Sequence, residues 1–195
     1  MNSFKNTFEE MIKHRMKVPA QRVFIRIPDA RAVLEEALAY FLSLEGRQLR
    51  WLPEYDYIAC WLSDNAGKGL FMYGNCGRGK SLLSRYVLPA IMLRHCRKVV
   101  SVFDIQDMNR DIDLVMSKMI ISLDDIGTEE ATNRYGNKRL AFAEIMDSVE
   151  KYNKLAIIST NLQAEEIKRQ YGDRILDRIL STTTRVLFQG ESMRK

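Results

Sequence analysis

Gly74-Asn75-Cys76-Gly77-Arg78-Gly79-Lys80-Ser81 is the stretch on which the reading of this chain turns. The octet has the spacing G-x-x-x-x-G-K-[ST], and at ordinary glycine usage its chance expectation in a chain of this length is on the order of 0.01. Just before it runs an apolar stretch, Leu70–Tyr73, with the length of a short buried strand. Just after it, from Lys80 to about His95, the pattern is helical, with a kink or interruption expected at Pro89. Glycines let a backbone wrap a phosphate without Cβ clashes, and loop N–H groups with a helix N-terminus make a positively polarised nest. In such a loop Lys80 reaches the β and γ phosphates and Ser81 Oγ can ligate Mg²⁺. The expected cofactors are therefore ATP and Mg²⁺. Their cradle is Gly74, Asn75, Cys76, Gly77, Arg78, Gly79, Lys80, Ser81 and Leu82. Cys76 reads either as a thiol activated by positive surroundings or as a small residue the loop tolerates. Arg78 reads as a contact to phosphate or to solvent.

Two further apolar runs end in polar residues. Met119-Ile120-Ile121-Ser122-Leu123-Asp124-Asp125 has a buried-strand pattern closed by two carboxylates. A phosphate loop needs one carboxylate for the Mg²⁺ shell, which assigns Asp124 to the metal with Ser81. Asp125 then polarises the attacking water as general base. A pair that merely caps the following loop is the alternative. Leu155-Ala156-Ile157-Ile158-Ser159-Thr160-Asn161 repeats the pattern. Ligands of open α/β sheets sit at the carboxyl ends of strands, so Asn161 is expected in the same crevice, orienting water or sensing the γ-phosphate. A turn-forming Asn is the alternative there.

Working outward, strands are also predicted at Val99–Phe103 and Arg185–Phe188, and helices at Glu54–Ser63, Leu140–Tyr152 and Ala164–Tyr171. Continuous apolar strands separated by helices predict an α/β fold whose parallel sheet is covered on both faces. Residues 1–53 carry helical patterns broken by Pro19, Pro28 and Pro53. They read as a helical N-terminal extension to a core at 54–195. The first helix, around Phe4–Met16, has a basic end at Lys13, His14, Arg15 and Lys17. That end is either a partner- or DNA-binding face or a solvated helix C-terminus favoured by the macrodipole.

The 195 residues carry a net charge of +5, which permits contact with nucleic acid without establishing it. No apolar run approaches the roughly 20 residues needed to cross a bilayer. The opening MNSFKNTFEEMIKHRMK has acidic residues and no apolar centre, unlike a secretory signal. Three widely spaced cysteines, Cys60, Cys76 and Cys96, read as reduced thiols. The expectation is a cytoplasmic protein with no membrane contact.

Strand, phosphate loop, strand-Asp-Asp and strand-Asn in this order resemble the core of AAA+ ATPases. Leu123–Glu130 (LDDIGTEE) resembles the strand-to-loop signature of the DnaC/DnaI helicase loaders and the IstB transposition ATPases. Ile158–Ile167 (ISTNLQAEEI) resembles their sensor strand, and Tyr171–Ile179 (YGDRILDRI) their arginine-finger helix. Gly190–Arg194 (GESMR) resembles the tail of phage and mobile-element members. The resemblance covers roughly Glu54 to Lys195. It implies a P-loop NTPase core without a C-terminal helical lid, with catalytic roles for Asp125, Asn161, Arg178 and Arg194. Arg178 matches the finger that reaches a neighbouring subunit's γ-phosphate, and Arg174, one turn earlier, is the second candidate. Arg194 matches a sensor within the same subunit. The alternative for any of these is a surface ion pair, as with Asp177 or Asp173. Apart from Arg194, the crevice around Lys80 is expected to lack a second strong positive charge.

The implied function is an ATP-hydrolysing DNA-replication accessory factor of the helicase-loader kind. It would self-associate through the ATP site and have a replicative helicase and single-stranded DNA as partners. An IstB-like transposition ATPase and a nucleotide-dependent binding module with negligible turnover are the rival readings. Two features depart from the loaders. The stretch Asp104–Lys118 is short where the loaders carry a longer, partly DNA-contacting segment, and residues before Glu54 do not match their helicase-binding domain.

Overall fold

The computed structural model of the chain describes residues 3–127, 132–134, 137–139 and 141–193. At its centre lies a five-stranded sheet in the order β2-β3-β6-β1-β7, with every pairing parallel. The strands are β1 (Gly69–Gly74), β2 (Ser101–Phe103), β3 (Ile120–Ile126), β6 (Leu155–Thr160) and β7 (Thr183–Phe188). A separate antiparallel hairpin, β4 (Thr132–Arg134) with β5 (Asn137–Arg139), was not among the sequence-based expectations.

Parallel neighbours require crossovers, and here helices supply them on both faces. One face carries α2 (Ala30–Leu44), α3 (Pro53–Ser63) and a helical run over 80–96. The other carries α6 (Ile105–Arg110), α7 (Ile112–Ser117), α8 (Ala141–Tyr152), α9 (Ala164–Tyr171) and α10 (Asp173–Thr182). Successive strand residues point to opposite faces, so Leu70 and Met72 of β1 join the first core while Phe71 joins the second. In β6, Leu155 and Ile157 part from Ala156 and Ile158 in the same way. Burial on both faces is why these strands read as unbroken apolar runs.

The run over 80–96 is α4 (Lys80–Leu82), a π-turn (Leu83–Val87) and α5 (Leu88–Cys96). The α-helical run is thus interrupted just upstream of Pro89, as the expected kink or interruption there anticipates. Proline lacks an N–H and its ring clashes with the carbonyl four residues back. The chain meets this with the wider turn just upstream, where Leu88 N donates to Leu83 O five residues back. The segment 104–118, short beside the loaders' counterpart, folds into the two six-residue helices α6 and α7. The side chains of Asp104 and Asp111 cap them by accepting from Gln106, Asp107 and Leu114 backbone N–H groups.

Much of the N-terminal segment belongs to the first core. Ile25, Ile27, Ala30, Leu34, Leu38 and Leu52 share one cluster with β1 and β7. Asn65 fastens this segment: its Oδ1 accepts from Ile25 N (2.8 Å) and its Nδ2 donates to Val23 O (3.0 Å). The first helix, α1 (Ser3–Lys13), stops short of the expected Met16, next to Arg15 in a left-handed conformation (φ 53°). Its basic end is solvated: Lys13 and His14 both lie beside Glu10 on its exposed surface. Among the described residues no helix is long and apolar enough to cross a membrane.

Candidate functional site

The chain leaves β1 for the far edge of the sheet, returns through β3 and β6, and finishes on the other side of β1. The carboxyl ends of β1, β3 and β6 therefore meet where strand order reverses, the place at which open α/β sheets bind ligands. A cavity of about 450 Å³ lies there. Lys80, Ser81, Asp124, Asp125, Ser159 and Asn161 line it, together with Cys76, Gly77, Gly79 and Leu82 of the loop. The volume lies within the roughly 300–1,000 Å³ of small-molecule sites.

The loop curls as its glycines predict. Gly77 (φ +73°) and Gly79 (φ +88°) occupy the left-handed region, where a side chain is strained. A Cβ on Gly77 would also stand 2.1 Å from Ser192 Oγ. A Cβ on Gly79 would stand 3.1 Å from the Tyr55 hydroxyl beneath the loop, whose pKa burial pushes up to about 12. Lys80 Nζ donates to Gly74 O (2.8 Å), Asn75 O (2.8 Å) and Asn161 Oδ1 (2.9 Å). Lys80 as a whole is only 5% exposed, yet its ammonium is engaged by three oxygens and points into the concavity of the loop.

Adjacent residues in a regular strand face opposite ways, so two neighbouring aspartates cannot both serve one crevice without a distortion. β3 supplies it. Its register with β6 shifts between Leu123 and Ile126, and Asp125 adopts φ 58°. A bulge of this kind re-aims a side chain, and Asp is among the few non-glycine residues that tolerate a left-handed backbone. Asp125 N donates to Ser159 Oγ (3.1 Å), and Asn161 Nδ2 donates to Asp125 Oδ1 (2.8 Å). Asn161 therefore links Lys80 to Asp125 through its two amide atoms.

Asp124 is 1% exposed. Burial, the strongest influence on its carboxyl, raises the pKa. Hydrogen bonds from Ser159, Ser84 and Arg85, with the charge of Arg85, together outweigh it and hold the group below the usual carboxylate range. Ser84 Oγ donates at 2.7 Å and Arg85 Nε at 2.6 Å, and Ser159 Oγ donates to the same oxygen as Ser84. The donor set around Ser81 and Asp124 is oxygen only, bordered by a second carboxylate. That suits the hard, oxygen-seeking Mg²⁺, which keeps several waters and takes one or two carboxylates.

Other expected site residues are placed elsewhere. Arg78 is absent from the cavity lining, and its side chain is largely buried. Its Nη2 pairs with Glu54 Oε1 at 2.7 Å, with the two side chains only 11% and 7% exposed. Glu54 Oε1 also accepts from Gln189 N (3.0 Å), and Arg78 Nη1 lies 3.4 Å from Glu191 O. The Asn75 side chain turns from the cavity to donate to Gly190 O (3.0 Å), while Met193 N donates to Gly77 O (2.9 Å). The segment 189–193 is thereby laced to the outer side of the loop. Arg178 does not line the cavity. Its Nε donates to Glu150 Oε2 (2.7 Å) and its Nη1 to Asp147 Oδ1, both on α8. Arg174 is 3.5 Å from Asp147 and well exposed. The partners are thus acids of α8, not Asp173, which pairs with Lys168 instead. Arg194 lies outside the described residues.

The expectation of no second strong cation near Lys80 is corrected by Arg85 and Arg47, which both line the cavity. Arg85, Ser84 and Ser159 were not among the sequence candidates. Helical spacing could have found the first two, at three and four residues beyond Ser81. Strand alternation could have found Ser159, two residues before Asn161, which directly follows β6.

No protein-family model and no curated protein matches the chain in sequence. Solved structures do resemble it. The structure of the DnaC helicase loader is similar over 84% of this chain and 93% of its own, with TM-score 0.54 and 17% identity. That of DnaI is similar over 65% and 73%, with TM-score 0.50 and 20% identity. A Streptococcus pyogenes serotype M3 structure described as a primosome component is similar over 87% and 88%, with TM-score 0.50 and 17% identity. Identities this low carry the fold. The chain has the α/β architecture of an AAA+ P-loop NTPase, in line with the resemblance its motifs show to the DnaC/DnaI group.

Proposed function

We propose that this chain is an ATP-binding and ATP-hydrolysing accessory factor of DNA replication, of the helicase-loader kind. The observation that carries the nucleotide reading is the convergence of Lys80, Ser81, Asp124, Asp125 and Asn161 on one cavity beside a phosphate loop. When bound, Mg-ATP supplies the γ-phosphoryl group and the metal charge that offsets its oxygens. The chain's residues do the rest. The loop N–H groups and Lys80 would hold the phosphates, and Ser81 and Asp124 would hold the metal shell. Asp125 accepts a proton from the attacking water, and Asn161, already bonded to Asp125 and Lys80, keeps that water in line. The replication role rests on the motif resemblance and on the fold shared with the DnaC helicase loader. A replicative helicase and single-stranded DNA are the partners this role implies.

Arg178 acts in trans on this reading, and to do so it must leave Asp147 and Glu150. That engagement also favours a second reading, in which the isolated chain binds nucleotide with little turnover until a neighbouring subunit draws the arginine away.

Fluorescent ATP titration and phosphate release, with and without single-stranded DNA, test the core of the proposal. Wild type should bind and turn over ATP, and Lys80→Ala should do neither. Unchanged affinity and turnover in Lys80→Ala would remove the assignment. Affinity capture with a non-hydrolysable analogue, scored for a helicase, tests the partner.

A further inference from the structure

Asp124 presents its two oxygens to different surroundings. Oδ1 receives the hydroxyls of Ser84 (2.7 Å) and Ser159 from the protein interior. Oδ2 receives Arg85 Nε at 2.6 Å, and Arg85 also lines the cavity shared by Lys80, Ser81 and Asp125. The two partners are unequally buried and unequally held. The Asp124 side chain is 2% exposed and held by two serines, whereas that of Arg85 is 39% exposed. A metal shell held by Asp124 would have to use the oxygen that Arg85 now covers. A dication placed beside a guanidinium also meets like-charge repulsion, which weakens both interactions.

The geometry points to Arg85 as a built-in competitor of the divalent cation: its guanidinium neutralises Asp124 in the empty site, and Mg²⁺ binding displaces it. This rests on the Mg-ATP reading and adds a residue to it. An empty site then contains no uncompensated buried carboxylate, whose cost would otherwise be large. It also resists free Mg²⁺, because a metal arriving alone must break a charge-assisted hydrogen bond and gives the guanidinium nothing in exchange. A metal arriving with a triphosphate brings acceptor oxygens into the same cavity. Arg85 thus positions Asp124 and couples metal binding to nucleotide binding.

The test titrates Mg²⁺ against full-length protein at a fixed concentration of a fluorescent ATP analogue. Wild type, Arg85→Gln and Arg85→Lys are compared by the Mg²⁺ midpoint for nucleotide binding. Arg85→Gln should lower that midpoint by about tenfold, as befits a charge-assisted hydrogen bond made by a partly solvated partner. Arg85→Lys, which keeps the charge, should stay within about threefold of wild type. A readout on the wild-type protein does not depend on the variants folding. The Arg85 Nε–H proton should be protected from exchange without metal and lose that protection on adding Mg²⁺ with nucleotide. An unchanged or raised midpoint in folded Arg85→Gln, or protection that persists with Mg²⁺ and nucleotide, overturns the role of Arg85 while Mg²⁺-dependent binding stands. Wild-type binding that ignores Mg²⁺ overturns the metal assignment itself.

Discussion

Glu54→Gln removes one charge from the pair with Arg78 while nearly preserving shape. Both side chains are largely buried, at 7% and 11% exposure, and are 2.7 Å apart. Their surroundings give little relief: among the described residues Glu54 Oε2 and Arg78 Nε are buried without a hydrogen-bond partner. Breaking a buried pair from one side costs about 3–5 kcal/mol, because the remaining charge is left uncompensated. Two features reduce that here. Arg78 Nη1 retains its contact to Glu191 O at 3.4 Å, and Arg78 borders two surface clefts. We therefore expect a loss of about 2–3 kcal/mol, or a fall in melting temperature of roughly 4–12 °C for a chain of this size. Urea unfolding of Glu54→Gln, Arg78→Gln and the double variant measures the coupling. The double variant should lose less than the sum of the singles by more than about 0.5 kcal/mol. Because Arg78 sits between two loop glycines, Glu54→Gln should also weaken ATP binding. Additive single effects, or a melting temperature within about 1 °C of wild type, would refute the view that this pair anchors the loop.

Asp125→Asn should retain Mg-ATP and lose hydrolysis by roughly a hundredfold, as measured by phosphate release, because asparagine accepts the same left-handed backbone without serving as a base. Arg178→Ala and Lys80→Ala should each be inactive and regain turnover when mixed, as a trans-acting finger requires; a dead mixture of folded, associating variants excludes the finger. Asp124 titrates below its ordinary value of 3.8, so its folded-state pKa lies under its unfolded one. Its contribution to stability is present above that ordinary value and lost as pH falls through the lower folded one, and Ser159→Ala should shrink this acid limb in pH-dependent melting curves. Binding to a labelled single-stranded oligonucleotide should be weak, strengthened by ATP and abolished by salt in an anisotropy titration.

The sheet was legible because its central strands are buried on both faces and therefore largely apolar, as in Leu70–Met72 and Leu155–Ile158. The loop was legible because its glycines and Lys80 are demanded by local geometry. What the sequence concealed depends on contacts between distant segments. Glu54 reads as an ordinary acidic residue in the first turn of α3, and only the fold brings Arg78 and Gln189 to it. Arg85 reads as a surface cation on a helix until β3 places Asp124 beside it. Asp124 and Asp125 were read as one functional pair, yet strand periodicity alone would have sent them to opposite faces. The bulge that unites them has no local signature beyond the tolerance of aspartate for its backbone.

The π-turn at Leu83–Val87 amounts to one residue more than an α-helix needs to span the same length. That surplus separates two tasks of a single rod. Ser81 before it, with Ser84 and Arg85 in its first residues, are phased to the cavity and Asp124; downstream, Leu88, Ile91 and Met92 are phased to the core beneath the sheet. Excising one residue from the turn would let it tighten to an α-helix and rotate everything after it by about 100° relative to everything before. Either the core residues would swing towards water or the cavity residues would swing off Asp124. A single-residue deletion here should therefore be far more damaging than any one substitution in the same turn, because it puts the two halves of the rod out of step.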